Sequence, residues 1–436
     1  MAKQSILIVH ASVGSGHKSA ANAICQALEI LQAEASISSK FDLKVVDVLD
    51  YGRVEIDGNG WASSFTGATR PIYDLTWRYT LTGRLLWGGG SCWSRVMFPA
   101  FTQLVRETKP AAIVCTHITA ANAAVGAKLI TRQNFPIVCV PTDYEVEGLW
   151  PHAYTDLFCV ANEEMAETLR CRKIPETKIR ITGMPVNPEF IKNYDKDKAL
   201  DEFDLPKNKR IVLAISGASL LQPYVHIKKV IKNATYFMHE FENLHFCIVV
   251  GKDSQFKAEL LQFIKDHDIK NISVFGYVEQ MAMLMSASDL VICKAGGMTV
   301  TECLDAEASM ILTCRAYGQE KANVKMLTGA GAAIHVTTVR ELYGALRLAN
   351  KNPHAFSGLR QAANYLRKPN AAIDVAKETL LCVANGRGEE EEEGLAPSYE
   401  SKRRSLASGK DSRSPRNGAR KHFISFYVGD KPAHTR

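Results

Sequence analysis

DLVICKAGGMTVTEC, residues 289–303, is the stretch whose reading decides the fold. It opens with an apolar run of strand length, turns on small residues, and ends in a helix that carries Glu302 about one turn in. Such a turn suits phosphate. Gly296 and Gly297 let the backbone approach an anion closely, and the amides at the helix start, with its positive dipole end, complement negative charge. A carboxylate at Glu302 can accept hydrogen bonds from the paired hydroxyls of a sugar. Glycine pairs also serve ordinary strand-to-helix turns, so the flanking sequence has to choose between the two readings.

Outward from this stretch the same pattern recurs. The run Ile6 to His10 is short and β-rich, ASVGSGH turns, and KSAANAICQALEIL continues as a helix. Further strands are expected at 44–49, 111–117, 136–143, 156–162 and 178–182, and again at 210–216, 245–251, 272–278, 289–293 and 309–314. Strands alternating with helices imply parallel sheets whose ligands sit at the strands' carboxyl ends. At 436 residues the chain exceeds one ordinary core. We expect an α/β protein of two Rossmann-like domains facing across a cleft: 1–190, a linker at 191–208, 209–384 with its closing helices, and a disordered tail at 385–436. The linker reading rests on the proline-punctuated GMPVNPEF and the charged run that follows it. A DxD at Asp195 to Asp197 lies in that solvated run and reads as surface.

His17, at a helix start after G-x-G, is either a general base, a ligand contact or a polar cap. The G-x-G is weak evidence for a dinucleotide fold, because Ser19 replaces the third glycine. The segment 61–101 holds four of the five tryptophans among Arg70, Arg78, Arg84 and Arg95. It reads either as a membrane-interface segment or as an extra packed layer.

Composition is that of a soluble globular chain, with 46% hydrophobic and 23% charged residues. The net charge is +7, of which residues 387–436 supply +3 from 11 basic and 8 acidic side chains. The folded part is only mildly basic and carries no nucleic-acid reading motif, so nucleic acid is not an expected partner. The 11 cysteines are scattered with no CxxC pair, which suits reduced thiols rather than disulfides or zinc. No apolar run approaches the roughly 20 residues of a membrane span. The expected setting is cytoplasmic, with peripheral contact to an anionic membrane on its inner face.

GxGH with a trailing AAxA, TDY with Trp150 seven residues beyond Asp143, GMPV, and GYVEQMAMLMSASDLVICKAGGMTVTECL followed by GQEKAN together resemble one family. It is the monogalactosyldiacylglycerol synthase and processive diacylglycerol glucosyltransferase family, related to the glycosyltransferase that adds N-acetylglucosamine to the peptidoglycan lipid precursor. The resemblance implies the GT-B fold, a UDP-sugar donor on the second domain and a lipid acceptor on the first. It places Tyr277 and Val278 at uracil, Gly296, Gly297 and Thr299 at the diphosphate, Glu302 at the ribose, and Gln319 and Glu320 at the sugar. Lys294 and Asn323, in the same motifs, and the turns at Gly14, Gly16 and Ser219 complete the donor set. His17 would face the acceptor hydroxyl. Asp143 is a second candidate, as the base, as a partner orienting His17, or as a turn cap. The implied reaction is inverting transfer of a hexose to diacylglycerol, with UDP-sugar as substrate and no cofactor or metal. A polyprenyl-linked or other amphiphilic acceptor, a non-catalytic nucleotide-sugar-binding module and a UDP-sugar epimerase are the alternatives. Three positions depart from the family pattern: Glu147 where a histidine is usual, the glycine-poor turn at 216–219, and CRAY before GQE.

Overall fold

The protein, seen in a computed structural model, is described over residues 4–12, 15–34, 41–53, 95–216, 225–313, 316 and 318–386. The turns at Gly14 and Ser219, most of the tryptophan-rich segment, CRAY apart from Ala316, and the tail from 387 lie outside those residues.

Two six-stranded parallel sheets form the frame. The first comprises β1 (Ser5–His10), β2 (Asp42–Asp47), β3 (Ala112–Cys115), β4 (Ile137–Cys139), β5 (Leu157–Val160) and β6 (Ile179–Ile181), in the order β2-β1-β3-β4-β5-β6. The second comprises β7 (Arg210–Ile215), β8 (Leu244–Val249), β9 (Ile272–Phe275), β10 (Leu290–Cys293), β11 (Met310–Thr313) and β12 (Ala333–Val336), in the order β12-β11-β10-β7-β8-β9. The inner strands β1, β3, β5, β8, β10 and β11 are buried at every residue. This is why they read as continuous apolar runs: helices cover both faces of a parallel sheet. At the edge, β2 leaves Asp42, Lys44 and Val45 exposed and buries only Val46, and so keeps its rim charged.

Helices α1 (Ser15–Glu34), α2 (Pro99–Thr108), α3 (Ile118–Thr131) and α4 (Glu163–Cys171) belong to the first sheet. The charged run after GMPV is not bare linker. It contains α5 (Lys196–Glu202), whose N-cap Asp195 accepts from the Lys198 amide, and which packs on α8 (Met281–Ala287) through Ala199 and Leu200. One aspartate of the DxD is therefore a helix cap. The second sheet also carries α6 (Val225–Met238), α7 (Ser254–Asp266), α9 (Gly297–Asp305), α10 (Glu320–Gly329), α11 (Val339–Lys351) and α12 (Ser357–Leu366).

The last helix among the described residues, α13 (Ala371–Gly386), corrects the expected domain division. It lies not on the second sheet but against α1, burying Ala372, Val375, Ala376 and Leu380 beside Ala23, Ile24, Ala27 and Leu28. Its register is held at Gly183, whose φ is +91° and where a Cβ would lie 2.4 Å from the Lys368 Cβ. Only glycine combines that backbone angle with that closeness. Arg180 clamps the same junction by donating from Nε to Glu378 Oε2 at 3.0 Å. An apolar helical face names no partner by itself, so the sequence pattern left α13 with its chain neighbours.

Candidate functional site

Both sheets place a turn at their switch point, where strand order reverses and crevices open. In the first sheet this is the end of β1, which pairs with β2 on one side and β3 on the other and leads into α1. In the second it is the turn from β10 into α9, where β10 lies beside β7. The start of α1 and the turn into α9 face each other across one cavity of about 950 Å³. It is lined from the first domain by Gly16, His17, Thr142 and Asp143. From the second come Tyr277, Val278, Lys294, Gly296, Gly297, Thr299, Glu302, Gln319 and Glu320. The volume is in the roughly 300–1,000 Å³ range of ligand sites.

His17 sits at the start of α1. Its Nδ1 is 3.1 Å from the Thr116 carbonyl and 2.8 Å from Thr142 Oγ1. A carbonyl can only accept, so we assign the ring proton to Nδ1, which leaves the lone pair of Nε2 for another partner. Thr116 also donates its hydroxyl to the His17 carbonyl at 2.9 Å, and the His117 ring stands edge-on at 4.5 Å. Burial pushes the imidazole down to about 4, and nearby His10 adds to this, so the ring is neutral at pH 7. The expectation that Asp143 orients His17 is corrected: Thr116 and Thr142 do so. Thr142 carried a signal in the TDY motif that the reading assigned only to its neighbour.

Asp143 faces the second domain. Its Oδ1 accepts from Asn323 Nδ2 at 2.9 Å, and the Gly297 amide at the start of α9 also donates to the carboxylate. Burial raises its carboxyl to about 6, against the pull of Asn323, of the Lys294 charge and of the Gly297 amide, with Glu320 adding to the rise. It is thus a cap, as one reading had it, but for a helix of the opposite domain.

The turn at 294–297 is built for close approach. A Cβ at Gly297 would lie 2.0 Å from the Thr142 carbonyl and 2.7 Å from Asp143 Oδ1. Lys294 extends beside Gly296 and pairs with Glu320 Oε1 at 2.8 Å, with both side chains about a fifth to a quarter exposed. The positive charge thus lies on the cavity wall at the helix start. Deeper in, burial raises the Glu302 carboxyl to about 8, with Asp305 contributing. At the outer edge Tyr277 is 62% exposed, with Lys252 Nζ 5.8 Å from its ring centre. An exposed aromatic edge of that kind can receive a base.

Asn323 is a second correction. It is fully buried, does not line the cavity, and has its amide engaged by protein, so it is not placed to touch a donor. Its position inside the GQEKAN motif had grouped it with residues one helical turn away. Glu147 is likewise buried and off the cavity, with burial and Asp143 holding its carboxyl well above the usual range. Among the lining residues the sequence reading missed are Lys252, Met298 and Tyr194.

The chain is similar to known proteins along most of its length. Residues 17–186 match the Monogalactosyldiacylglycerol (MGDG) synthase family, and residues 217–369 match the glycosyltransferase family 28 C-terminal domain. The chain is 25% identical over 297 residues to the processive diacylglycerol beta-glucosyltransferase of Staphylococcus saprophyticus, covering 68% of this chain and 73% of that protein. With the enzyme of the same name from Bacillus licheniformis the identity is 29%, over 48% of this chain and 52% of the relative. With that of Bacillus cytotoxicus it is 24%, over 57% and 63%. The chain thus spans between about half and three quarters of these relatives. Among solved structures, Acinetobacter baumannii MurG superposes with a TM-score of 0.55 at 16% identity, covering 86% of this chain and 99% of that one. The UDP-GlcNAc 2-epimerase of Neisseria meningitidis bound to UDP-GlcNAc superposes at 0.58 and 12% identity, covering 87% and 100%. These two likenesses speak for the fold, which is GT-B.

Proposed function

We propose that this chain, which belongs to the monogalactosyldiacylglycerol synthase family of glycosyltransferases, moves a hexose from a UDP-sugar to the free hydroxyl of diacylglycerol. One observation carries the reading. A helix start with a lysine beside it, fit for a diphosphate, stands across a single cavity from a neutral histidine whose Nε2 is available to an acceptor.

In this reading uracil lies along Tyr277 and Val278, the ribose hydroxyls donate to Glu302, and the diphosphate lies against Lys294 and the α9 amides beyond Gly297, whose own N–H is taken by Asp143. Gln319 and Glu320 address the sugar. His17 Nε2 takes the acceptor proton as the acceptor oxygen attacks the anomeric carbon from the side opposite UDP. The carbon's bond to the diphosphate oxygen breaks and the anomeric centre inverts. The charge developing on the departing UDP is met by fixed dipoles and by Lys294, so no metal is required. Diacylglycerol is membrane-borne and no helix among the described residues is long and apolar enough to cross a bilayer, so the proposed contact is peripheral.

The test is reconstitution. Purified protein, UDP-glucose or UDP-galactose and vesicles containing diacylglycerol should release UDP and yield glycosyldiacylglycerol. UDP release only with another amphiphile would move the acceptor, and epimerised sugar without acceptor would replace the reading.

The site also makes a proton prediction. The unliganded Glu302 carboxyl, raised to about 8, is mostly protonated at pH 7. Hydroxyl donors favour its ionised form, so UDP binding at pH 7 should release protons. Calorimetry in two buffers of different ionisation heat should show that release in the wild type, and a smaller one in Glu302→Gln. Equal release in both would remove Glu302 from the ribose site.

A further inference from the structure

Asn323 lies outside the cavity yet touches both of its walls. From the second domain it donates Nδ2–H bonds to the Ala295 carbonyl at 2.8 Å and to Asp143 Oδ1 at 2.9 Å. Its Oδ1 accepts the Tyr144 backbone N–H at 2.8 Å. Both of its donors and its carbonyl are therefore engaged, at zero exposure, by one residue of the phosphate turn and two of the opposite domain. A buried amide satisfied on every side is costly to misplace, because any shift leaves a polar atom unpaired. The same loop that it grips carries Thr142, whose hydroxyl meets His17. Two residues further on, the Tyr144 hydroxyl lies 3.0 Å from Thr301 Oγ1 in α9.

We propose that Asn323 is a positioning residue that locks the phosphate turn onto the Thr142–Asp143 loop and so fixes the spacing between donor and base. It acts through Asp143 and Ala295 and touches no substrate. The inference rests on the transferase reading for its kinetic test but not for its structural one. Asp143 faces Asn323 and Gly297 from the second domain, with the charges of Lys294 and Glu320 acting on it and with Glu147 in its own loop. Removing the Asn323 donor withdraws an interaction that favours the Asp143 carboxylate, so that group should titrate higher in the variant.

The experiment compares wild type with Asn323→Ala in the full chain. Turnover at pH 7 should fall by about 30-fold or more while KM for the UDP-sugar changes less than about threefold, the signature of misplacement rather than lost binding. The acid limb of kcat should move to higher pH. Small-angle scattering of the unliganded proteins should show a larger radius of gyration for the variant. A pH profile that superposes on the wild type, or a rise in KM alone, would overturn the proposal; the latter would make Asn323 a donor ligand. Should Asn323→Ala fail to fold, Asn323→Asp keeps the acceptor for Tyr144, loses the donors to both Asp143 and Ala295 while placing a second carboxyl beside Asp143, and should raise the acid limb further. If wild type transfers no hexose to any acceptor, the transferase reading has failed, and the scattering comparison still decides whether Asn323 holds the halves together.

Discussion

Gly297→Ala is expected to cost about 10²-fold or more in kcat/KM, although alanine is the better helix former by roughly 1 kcal/mol. The added methyl would sit 2.0 Å from the Thr142 carbonyl and 2.7 Å from Asp143 Oδ1, and the first of these is backbone. No side-chain rotation relieves it, so the two domains must part by the better part of an ångström or more. That displacement moves the start of α9 away from the loop that seats His17, which is the distance the reaction depends on. UDP affinity, which in the proposed reading rests mainly on the second domain, should fall much less than kcat. Steady-state kinetics beside UDP calorimetry separates the two. Wild-type turnover in this variant would mean that the catalytic arrangement is more open than the one described.

His17→Ala should lower kcat by about 10²- to 10⁴-fold, the usual worth of a positioned general base, with little change in KM for the donor. The imidazole is neutral at pH 7 because burial holds it near 4, so its protonation should not shape the profile above pH 5. The acid limb near pH 6 should instead belong to Asp143, whose carboxyl burial raises to about 6. The sign follows directly: as pH falls through that value Asp143 becomes neutral, its hold on the Gly297 and Asn323 donors weakens, and the rate drops. A loss of less than about tenfold in His17→Ala would transfer the role of base to Asp143.

The sequence carried the strands and the turn before α9 with little loss, for a physical reason. A strand buried on both faces has to be apolar throughout, and a turn that approaches an anion has to be small, so both leave local marks. Of the twelve strands among the described residues, eleven were expected near their observed places. The missed one, β12, is AIHV at the sheet's edge, where partial exposure of Ile334 and His335 dilutes the signal. The errors share another cause. That α13 rests on α1, that Asn323 serves the domain junction, and that Thr142 rather than Asp143 meets His17 are facts about partners far apart in the chain. Local pattern ranks residue types and periods, and it does not say what a face or an amide will meet. The short helix α5 was hidden in charge because only Ala199 and Leu200 of it are buried.

The return of α13 to the first domain has a bearing on how such proteins can be recombined. The second sheet is, topologically, an insertion into the first domain, entered after about residue 190 and left before about residue 370. A donor-specificity chimera made by simple head-to-tail fusion would pair α1 with a foreign last helix and expose Ala23, Ile24 and Leu28 to a mismatched face. An exchange that cuts at both crossings, and keeps α13 with its own α1 and Gly183 with its own Lys368, transplants the donor half as one piece.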